Sequence, residues 1–442
     1  MKLSFQNIGR VAKADIEIDA ITVITGANDT GKSTVGKLLY GIYTALNQLT
    51  PEYLLQSKYE SVLGDFDLLR RRVLRIENNE DELKEFLILS RERLLELWDV
   101  SENTTIENED KLDSLIKYIV KNVKSFFEEN SDDKPTGIEG ILEDMLDKSN
   151  VKSSNEDSQR LLIENVLLEE FSGSLTTELK SKPDADIHFI DNKENFLELT
   201  LRHNKIIKEI SHISIKRDFS QVFYIDNPFI LNDLDRRKIS IFIEKKRNNP
   251  ADSLLKLLSV KEEKNFYEEA ILEKDISNIF SSVIKGNIKS SHSGYKYYEK
   301  GLSEPISIKN ISTGMKSFAL LQLLMDYGHL NKRSEMLILD EPEIHLHPDW
   351  QLKYAELIVL IAKEFQLQVL ITSHSTDFVE AIDLYSQMHK INDGVRFYKT
   401  QSATSEMTEI VNVTDNLESL YKDMVVSPIE TFEKLEEELD GR

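Results

Sequence analysis

The stretch GANDTGKS, residues 26–33, has a pattern that can hold phosphate groups. It fits G-x-x-x-x-G-K-[ST], follows a predicted strand and opens a predicted helix, which is the context that such a loop requires. Backbone N–H groups at the helix start converge on phosphate oxygens, Lys32 adds a charge at the outer phosphates, and the Ser33 hydroxyl is expected to ligate magnesium. The predicted phosphate-binding residues are Gly26, Ala27, Asn28, Asp29, Thr30, Gly31, Lys32, Ser33 and Thr34.

Two acidic residues end the apolar strand of a second segment, MLILDEPEIHLHP at residues 336–348. Behind a phosphate loop, an aspartate at a strand end can hold magnesium through its water shell, which makes Asp340 a predicted metal residue. The adjacent Glu341 can orient and deprotonate the attacking water. We therefore predict Glu341 as the catalytic base.

A third segment, ITSHS at residues 371–375, delivers His374 at the carboxyl end of a predicted strand. Ligands bind at this edge in open α/β sheets, and the distance after the acidic strand is about one helix. We predict that His374 senses the γ-phosphate. His345 and His347 offer a metal-site alternative, but the sequence suggests no third ligand near them.

A fourth segment, ISTGMKS at residues 311–317, is a small glycine-containing helix start and so a second candidate anion site. Together the four segments resemble the ABC-type ATPases, specifically the soluble, SMC-like branch that includes the RecF, OLD and Septu-type defence ATPases. In that superfamily a signature motif, commonly L-S-G-G-Q, faces the ATP held by a second subunit. Ser312 and Gly314 match this motif, whereas Thr313 and Met315 depart from the transporter form.

The resemblance implies that Ser312, Thr313 and Gly314 contact the γ-phosphate of ATP bound to another copy, so that the chain forms a homodimer or a higher even-numbered oligomer. It covers residues 1–48 and about 220–400, while the insertion between them resembles no family that we can name. OLD-type nucleases carry a Toprim domain after the histidine motif. Only about 65 residues follow His374, too few for that domain, so we expect the effector to be a separate protein.

The glutamine loop that normally contacts magnesium in this superfamily cannot be identified from a motif in this sequence. By position after the predicted strand QVFYID, the candidates are Asp226 and Asn227, with Gln221 as a weaker one.

The predicted fold class is α/β: an ABC-type ATPase head with a mixed sheet, a P-loop core and a largely α-helical insertion. Alternating strands and helices in the last third favour a parallel sheet with helices on its faces. The predicted divisions are 1–49 for the first part of the core, 50–185 for an acidic helical insertion, 186–220 for a small antiparallel strand patch, 221–310 for a lobe, and 311–442 for the rest of the core.

Composition limits the functional classes. The net charge of −23 disfavours a generally basic nucleic-acid binder. Residues 76–175 contain 26 acidic against 11 basic side chains, so this region is either a solvated face or a docking surface for a basic partner. The chain has no cysteine, no apolar run long enough to span a bilayer and no signal-peptide core, which together fit a cytoplasmic protein without membrane attachment.

We therefore expect an ATPase that uses ATP and Mg²⁺, dimerises around ATP and controls a separate effector, such as a nuclease or toxin, in anti-phage defence. The alternative is a DNA-repair or chromosome-handling ATPase, favoured only by the basic stretches 69–75 and 236–247. A small-molecule kinase or GTPase would have no use for residues 311–317 or 371–375. A non-hydrolysing scaffold is disfavoured by Glu341.

Overall fold

The computed structural model describes residues 1–73, 81–99, 106–130, 137–152, 156–176, 184–191, 196–212, 221–234, 250–259, 274–291, 294–299, 301–330 and 334–421. The contacts within the chain define two compact units, Met1–Thr44 with Glu164–Arg442, and Ala45–Ile163. The basic stretch 236–247 lies outside the described residues. Within the described residues, every helix is too short or too polar to span a bilayer.

An eleven-stranded mixed sheet forms the centre of the first unit, in the order β6-β5-β4-β1-β2-β14-β13-β3-β12-β11-β7. Numbered along the chain, its strands are β1 (Lys2–Ile8), β2 (Val11–Glu17), β3 (Ile21–Thr25), β4 (Asp184–Ile190), β5 (Phe196–Arg202), β6 (Lys205–His212), β7 (Gln221–Ile225), β11 (Ser334–Asp340), β12 (Gln368–Ser373), β13 (Val395–Ser402) and β14 (Thr408–Asn412). A separate three-stranded antiparallel sheet contains β8 (Asn287–Ser291), β9 (Gly294–Tyr298) and β10 (Ile306–Ser307).

Five neighbouring strands, β13, β3, β12, β11 and β7, run parallel to one another. All five residues of β3 are buried, as are those from Val369 to Ser373 in β12. Continuous burial of β-branched and aliphatic residues is typical of parallel strands that are covered on both faces. The carboxyl ends of these strands therefore lie at one edge of the sheet.

The other end of the sheet is antiparallel, from β2 through β1 and β4 to β5 and β6. The antiparallel strands predicted near residues 186–220 are present as β4 to β6, but they extend the main sheet through β1 instead of forming a separate patch. Alternating buried and exposed side chains in β4 are typical of such strands.

The helices with residues in the first unit are α1 (Lys32–Gln48), α6 (Glu156–Glu170), α7 (Pro250–Ser259), α8 (Lys274–Val283), α9 (Thr313–Asp326), α10 (Pro348–Phe365) and α11 (Thr376–Met388). Val35, Leu38, Leu39 and Ile42 of α1 are fully buried, in agreement with the helical spacing in the sequence. The chain leaves this unit within α1 and returns to it within α6.

The second unit contains α2 (Pro51–Val73), α3 (Asp81–Asp99), α4 (Ile106–Asn130) and α5 (Ile138–Asn150), which share one apolar core. The side chain of Lys58 in α2 is 8% exposed, and its ammonium group lies 2.9 Å from Glu109 and 2.7 Å from Asp113 of α4. A buried ammonium needs such carboxylate partners. The predicted fold class, a mixed α/β sheet with a largely helical insertion, is confirmed.

Glu170, the last residue of α6, is buried in the first unit, and its Oε1 atom has no hydrogen-bond partner among the described residues. Burial raises the pKa of its carboxyl to about 8, with a further contribution from Glu169 and opposition from Lys37. An acid whose pKa rises on folding binds a proton more tightly in the folded state. Its contribution to stability is therefore lost as pH rises from about 4.5 towards 8.

We predict that Glu170→Gln makes the free energy of unfolding less dependent on pH, because glutamine does not ionise. The variant should be more stable than the wild type by at least about 1 kcal/mol at pH 8 and should approach it near pH 4.5. Urea unfolding at several pH values measures this. The exposed neighbour provides the control: Glu169→Gln should give a smaller change. Equal pH slopes in wild type and Glu170→Gln would contradict the assignment.

Candidate active site

The predicted site residues lie together at the carboxyl edge of the parallel strands. Loop 26–31 follows β3, Glu341 follows β11, and His374 follows β12. The register aligns these ends, since Asp340 pairs with Thr372 and Ser373 pairs with Thr25. The sheet thus brings together three segments that are far apart in the sequence.

The loop between β3 and α1 needs glycine at its first position. Gly26 has φ of 149°, and a Cβ atom there would lie only 1.8 Å from the Thr400 Oγ1 atom. Gly31, at the other end of the loop, has φ of 87°. Both values lie in the region that favours glycine, so the backbone of the loop depends on its two glycines.

A hairpin from the C-terminal part of the chain braces this loop. Thr400 of β13 lies 2.9 Å from the Thr30 hydroxyl, and the Thr408 hydroxyl of β14 donates to the Thr30 carbonyl oxygen at 2.7 Å. Thr30 itself donates to the Ala27 carbonyl oxygen at 2.8 Å. The hairpin therefore restricts the conformation of the loop at Thr30, and no motif in the sequence indicates this contact.

Lys32, the first residue of α1, is buried at the inner side of the loop. Its ammonium group donates hydrogen bonds to the carbonyl oxygens of Gly26 and Ala27, each at 2.9 Å. It also lies 3.3 Å from the Glu341 carboxylate. The positive charge is thus held between the phosphate loop and the acidic end of β11.

The Asp340 carboxylate accepts hydrogen bonds from three elements. Ser33 of α1 donates to it at 2.9 Å, Tyr224 of β7 donates at 2.9 Å, and Thr372 of β12 donates as well. Burial, followed by the nearby Asp340 charge, raises the pKa of Tyr224 well above its ordinary value, so this hydroxyl keeps its proton. Ser33 and Asp340 offer the hard oxygen donors that suit Mg²⁺.

Glu341 has an unusual backbone conformation, with φ of 48°. Its N–H group donates to both the carbonyl and the hydroxyl oxygen of Thr372, at 3.0 and 3.1 Å. A left-handed residue other than glycine persists only where its surroundings hold it, and such residues cluster at functional sites. The turn places the Glu341 carboxylate between Lys32 and the His374 Nδ1 atom, which is 3.6 Å away.

His374 has a half-exposed imidazole at the end of β12. Besides Glu341, it faces the carboxylate of Glu343, whose Oε1 atom lies 3.6 Å from Nδ1. The Nδ1 side of the ring thus faces two carboxylates, and the Nε2 side is left for another partner.

The signature segment lies at the start of α9, with Ser312 as the cap: its hydroxyl accepts a hydrogen bond from the Met315 N–H at 3.3 Å. A Cβ atom at Gly314 would lie 2.9 Å from the Trp350 ring, which explains the glycine by packing. Among the described residues, Ser312, Thr313 and Gly314 form no hydrogen bond with residues 26–34 of the same chain. Ser317, the last residue of this segment, does line a small cavity together with Asp340 and Glu341.

The end of β7 lines a small cavity of about 40 Å³ beside the acidic residues, with Asp226, Asn227, Asp340 and Glu341 in its wall. Withdrawal from water and, to a lesser extent, the Asp340 charge raise the pKa of Asp226. Asn227 caps a short 3-10 helix, since its side chain accepts from the Phe229 N–H at 2.8 Å. Gln221 begins β7 and pairs with Ser334, so it lies at the opposite edge of the sheet.

His345 and His347 have structural contacts. The His345 ring lies edge-to-face against Phe229 at 5.4 Å, and His347 caps α10 by accepting from the Asp349 N–H at 3.4 Å. No group of three or more metal-binding side chains is found in the described segments.

Sequence reasoning missed four residues that contact the site. Tyr224 and Thr372 lie within strands, where they read as core positions, and Thr400 lies in a region without a motif. Glu343 lies inside the segment MLILDEPEIHLHP, and an acidic residue between Pro342 and Ile344 is the one signal that the sequence offers for it.

We predict that Thr400→Val weakens binding of MgATP roughly two- to tenfold, because one hydrogen bond to the phosphate loop is lost while the shape of the side chain is kept. Equilibrium binding of a fluorescent ATP analogue measures the effect. Gln401→Ala, at the next position of β13, should bind normally. Wild-type affinity in Thr400→Val would show that the hairpin does not position the loop.

Solved structures similar to this chain include SMC heads. One is a SmcHead bound to the C-winged helix domain of ScpA, with 12% identity and a TM-score of 0.40 over 93% of this chain and 96% of that chain. Another is the SMC head domain from Thermotoga maritima, with 11% identity and a TM-score of 0.38 over 93% of this chain and 98% of that chain. A third is the Smc head domain with an extended coiled coil from Pyrococcus furiosus, bound to the C-terminal domain of ScpA, with 12% identity and a TM-score of 0.33 over 97% of this chain and 98% of that chain. These TM-scores are low, so the SMC heads define neither a partner nor an activity for this chain. No curated protein sequence matches it significantly.

The family model described as an AAA ATPase domain matches residues 1–379, which includes the phosphate loop, both acidic residues and His374. This match confirms the ATPase domain predicted from the sequence, and the mixed sheet and the order of the motifs along it agree with the SMC-like ABC-type head that the resemblance implied. The chain belongs to the AAA ATPase domain family.

Proposed function

We propose that this chain binds MgATP and hydrolyses it to ADP and phosphate at the carboxyl edge of the parallel strands. The observation that carries the proposal is the convergence there of a buried cation, a paired hydroxyl and carboxylate, and a strained glutamate. Lys32 lies 3.3 Å from Glu341, and Ser33 lies 2.9 Å from Asp340. Phosphoryl transfer needs mainly positioning and electrostatic stabilisation, and these groups supply both.

Ser33 and Asp340 would hold Mg²⁺, whose bound form neutralises charge on the phosphate oxygens. Tyr224 and Thr372 donate to Asp340 and so fix its orientation. Lys32 releases its hydrogen bonds to the loop carbonyls in favour of phosphate oxygens. The loop N–H groups and the start of α1 bind the remaining oxygens.

Glu341 orients the attacking water and accepts its proton. Its backbone is locked to Thr372, so the carboxylate keeps one direction while substrate binds. His374 donates to a γ-phosphate oxygen and reports whether that phosphate is present. ATP and ADP therefore differ in one contact that His374 makes.

The complete site requires a second copy. Gly26 to Ser33, Asp340, Glu341 and His374 come from one chain, and Ser312 with Gly314 come from its partner. The proposal is supported by the resemblance and by the lack of any hydrogen bond between these segments within the described part of one chain. Exposed apolar side chains near the cavity, Phe229 and Ile344, are suited to the same contact. Two-fold symmetry gives two sites per pair.

Control of a separate effector in anti-phage defence is the biological role that the resemblance favours. Opening and closing of the ATP-bound pair would be the signal that the effector reads. A DNA-handling role has less support, because Arg70 of the basic stretch 69–75 lies 3.6 Å from Asp67 and is partly neutralised.

We predict that Lys32→Ala abolishes ATP binding. Glu341→Gln should bind ATP but turn over at least roughly a hundredfold more slowly, since a positioned base contributes on that scale. Phosphate release and nucleotide binding are measured separately. The control is Glu380→Gln, an exposed glutamate of α11, which should hydrolyse ATP normally. Unchanged turnover in Glu341→Gln would show that Glu341 is not the catalytic base.

We predict that Ser312→Arg and Lys32→Ala are each inactive and that mixing them restores about a quarter of wild-type turnover. Random pairing makes half of the dimers mixed, and each mixed dimer has one intact site. Glu341→Gln should also trap the ATP-bound pair in size-exclusion chromatography.

A matched mixture tests the logic of shared sites. Lys32→Ala mixed with Glu341→Gln should stay inactive. Both substitutions affect the part of the site that comes from the chain with the phosphate loop, so each of the two sites in a mixed dimer contains one of them. Recovery in this mixture, or none in the first despite confirmed heterodimers, would contradict a site shared between two copies.

A further inference from the structure

Glu343 is a buried carboxylate for which the reaction proposed above has no use. Its side chain is 2% exposed, and it lies in the turn between β11 and α10. Moving a carboxylate out of water costs several kcal/mol unless hydrogen bonds compensate. An apolar residue would be easier to bury at this position, so the partners of Glu343 indicate what the charge does.

One oxygen of this carboxylate accepts hydrogen bonds from residues at the end of β12. Oε1 accepts from the Ser373 hydroxyl at 2.6 Å and from the His374 backbone N–H at 3.0 Å, and it lies 3.6 Å from the His374 Nδ1 atom. Oε2 has no hydrogen-bond partner among the described residues. All the interactions of Glu343's carboxylate therefore converge on His374 and the residue before it.

The contacts continue into a closed ring. Ser375 donates its N–H to the Ser373 hydroxyl at 3.1 Å and its own hydroxyl to Gln351 at 3.0 Å. Gln351 returns to the turn by donating to the carbonyl oxygens of Glu343 and Leu346, at 3.4 and 3.2 Å. The ring joins the turn that begins at Glu341 to the strand end that carries His374, so the two cannot shift independently.

We propose that Glu343 is a positioning residue that holds His374 in register with Glu341, so that the γ-phosphate contact and the catalytic base are set by one rigid turn. The inference rests on the proposed hydrolysis and on the role of His374 in it. Glu343 does not touch substrate. It acts through the backbone and the Nδ1 side of His374.

The test compares Glu343→Leu with Glu343→Gln. Leucine removes both hydrogen bonds, and turnover should fall about 10- to 100-fold, the usual scale for residues that orient catalytic groups, while KM for ATP changes less than about threefold. Glutamine keeps an oxygen that accepts from Ser373 and His374, so its turnover should stay within about fivefold of wild type. Equal loss in both variants, or a loss confined to KM, would overturn the proposal.

A double-mutant cycle separates positioning from general destabilisation. If Glu343 acts through His374, adding Glu343→Leu to His374→Ala should lower turnover by less than about twofold, whereas independent effects would multiply. Ser386→Ala removes another buried hydroxyl, on α11 but outside the ring, and should be fully active. If the leucine variant does not fold, Ser373→Ala replaces it in the cycle, with an expected loss of roughly two- to tenfold.

The two proposals fail in different ways. A wild-type protein without ATPase activity, or His374→Ala with full turnover, would overturn the proposed role of this site. Normal turnover in Glu343→Leu, beside a slow His374→Ala, would overturn only the positioning role of Glu343.

Discussion

The Asp340 carboxylate is the interaction on which the arrangement of this site depends. It accepts hydroxyl hydrogen bonds from α1, β7 and β12, and it ends β11 itself, so four elements meet at one charged group. Hydrogen bonds to an ionised acceptor are stronger than those between neutral groups. Without this carboxylate, each of the three hydroxyl groups could turn towards another partner, and the four elements would lose the contact that they share.

The remaining charges are arranged around this group with opposite signs close together. Lys32 lies between the loop carbonyls and Glu341, and His374 lies between Glu341 and Glu343. Each of these two carboxylates thus has a basic side chain beside it, which limits repulsion between like charges. Asp226 differs from these carboxylates because burial raises its pKa, with a further contribution from the Asp340 charge and opposition from Lys37.

The sequence was sufficient to predict which segments meet at the sheet edge but not the residues that hold them in place. A strand followed by a glycine-rich loop, an apolar strand ending in two acids and a strand ending in histidine each have a local signature, and parallel pairing brings their ends to one edge. Thr400 and Tyr224 have no such signature, because their roles depend on contacts with residues 370 and 116 positions away in the chain. The separate antiparallel patch was predicted because local alternation identifies strands but not which sheet they join. No local pattern distinguishes β4 as a neighbour of β1.

The position of β3 in the sheet has a consequence for protein synthesis. Both neighbours of this strand, β12 and β13, come from the last fifth of the chain, and Thr25 donates a hydrogen bond to Tyr398, 373 residues later. At about 5 to 20 residues per second, the ribosome needs on the order of 20 to 70 seconds to make the intervening segment. During that time the phosphate loop has left the ribosome without the strands that flank it. A phosphate loop that depends on these two strands therefore reaches its final surroundings only after β13 has been synthesised.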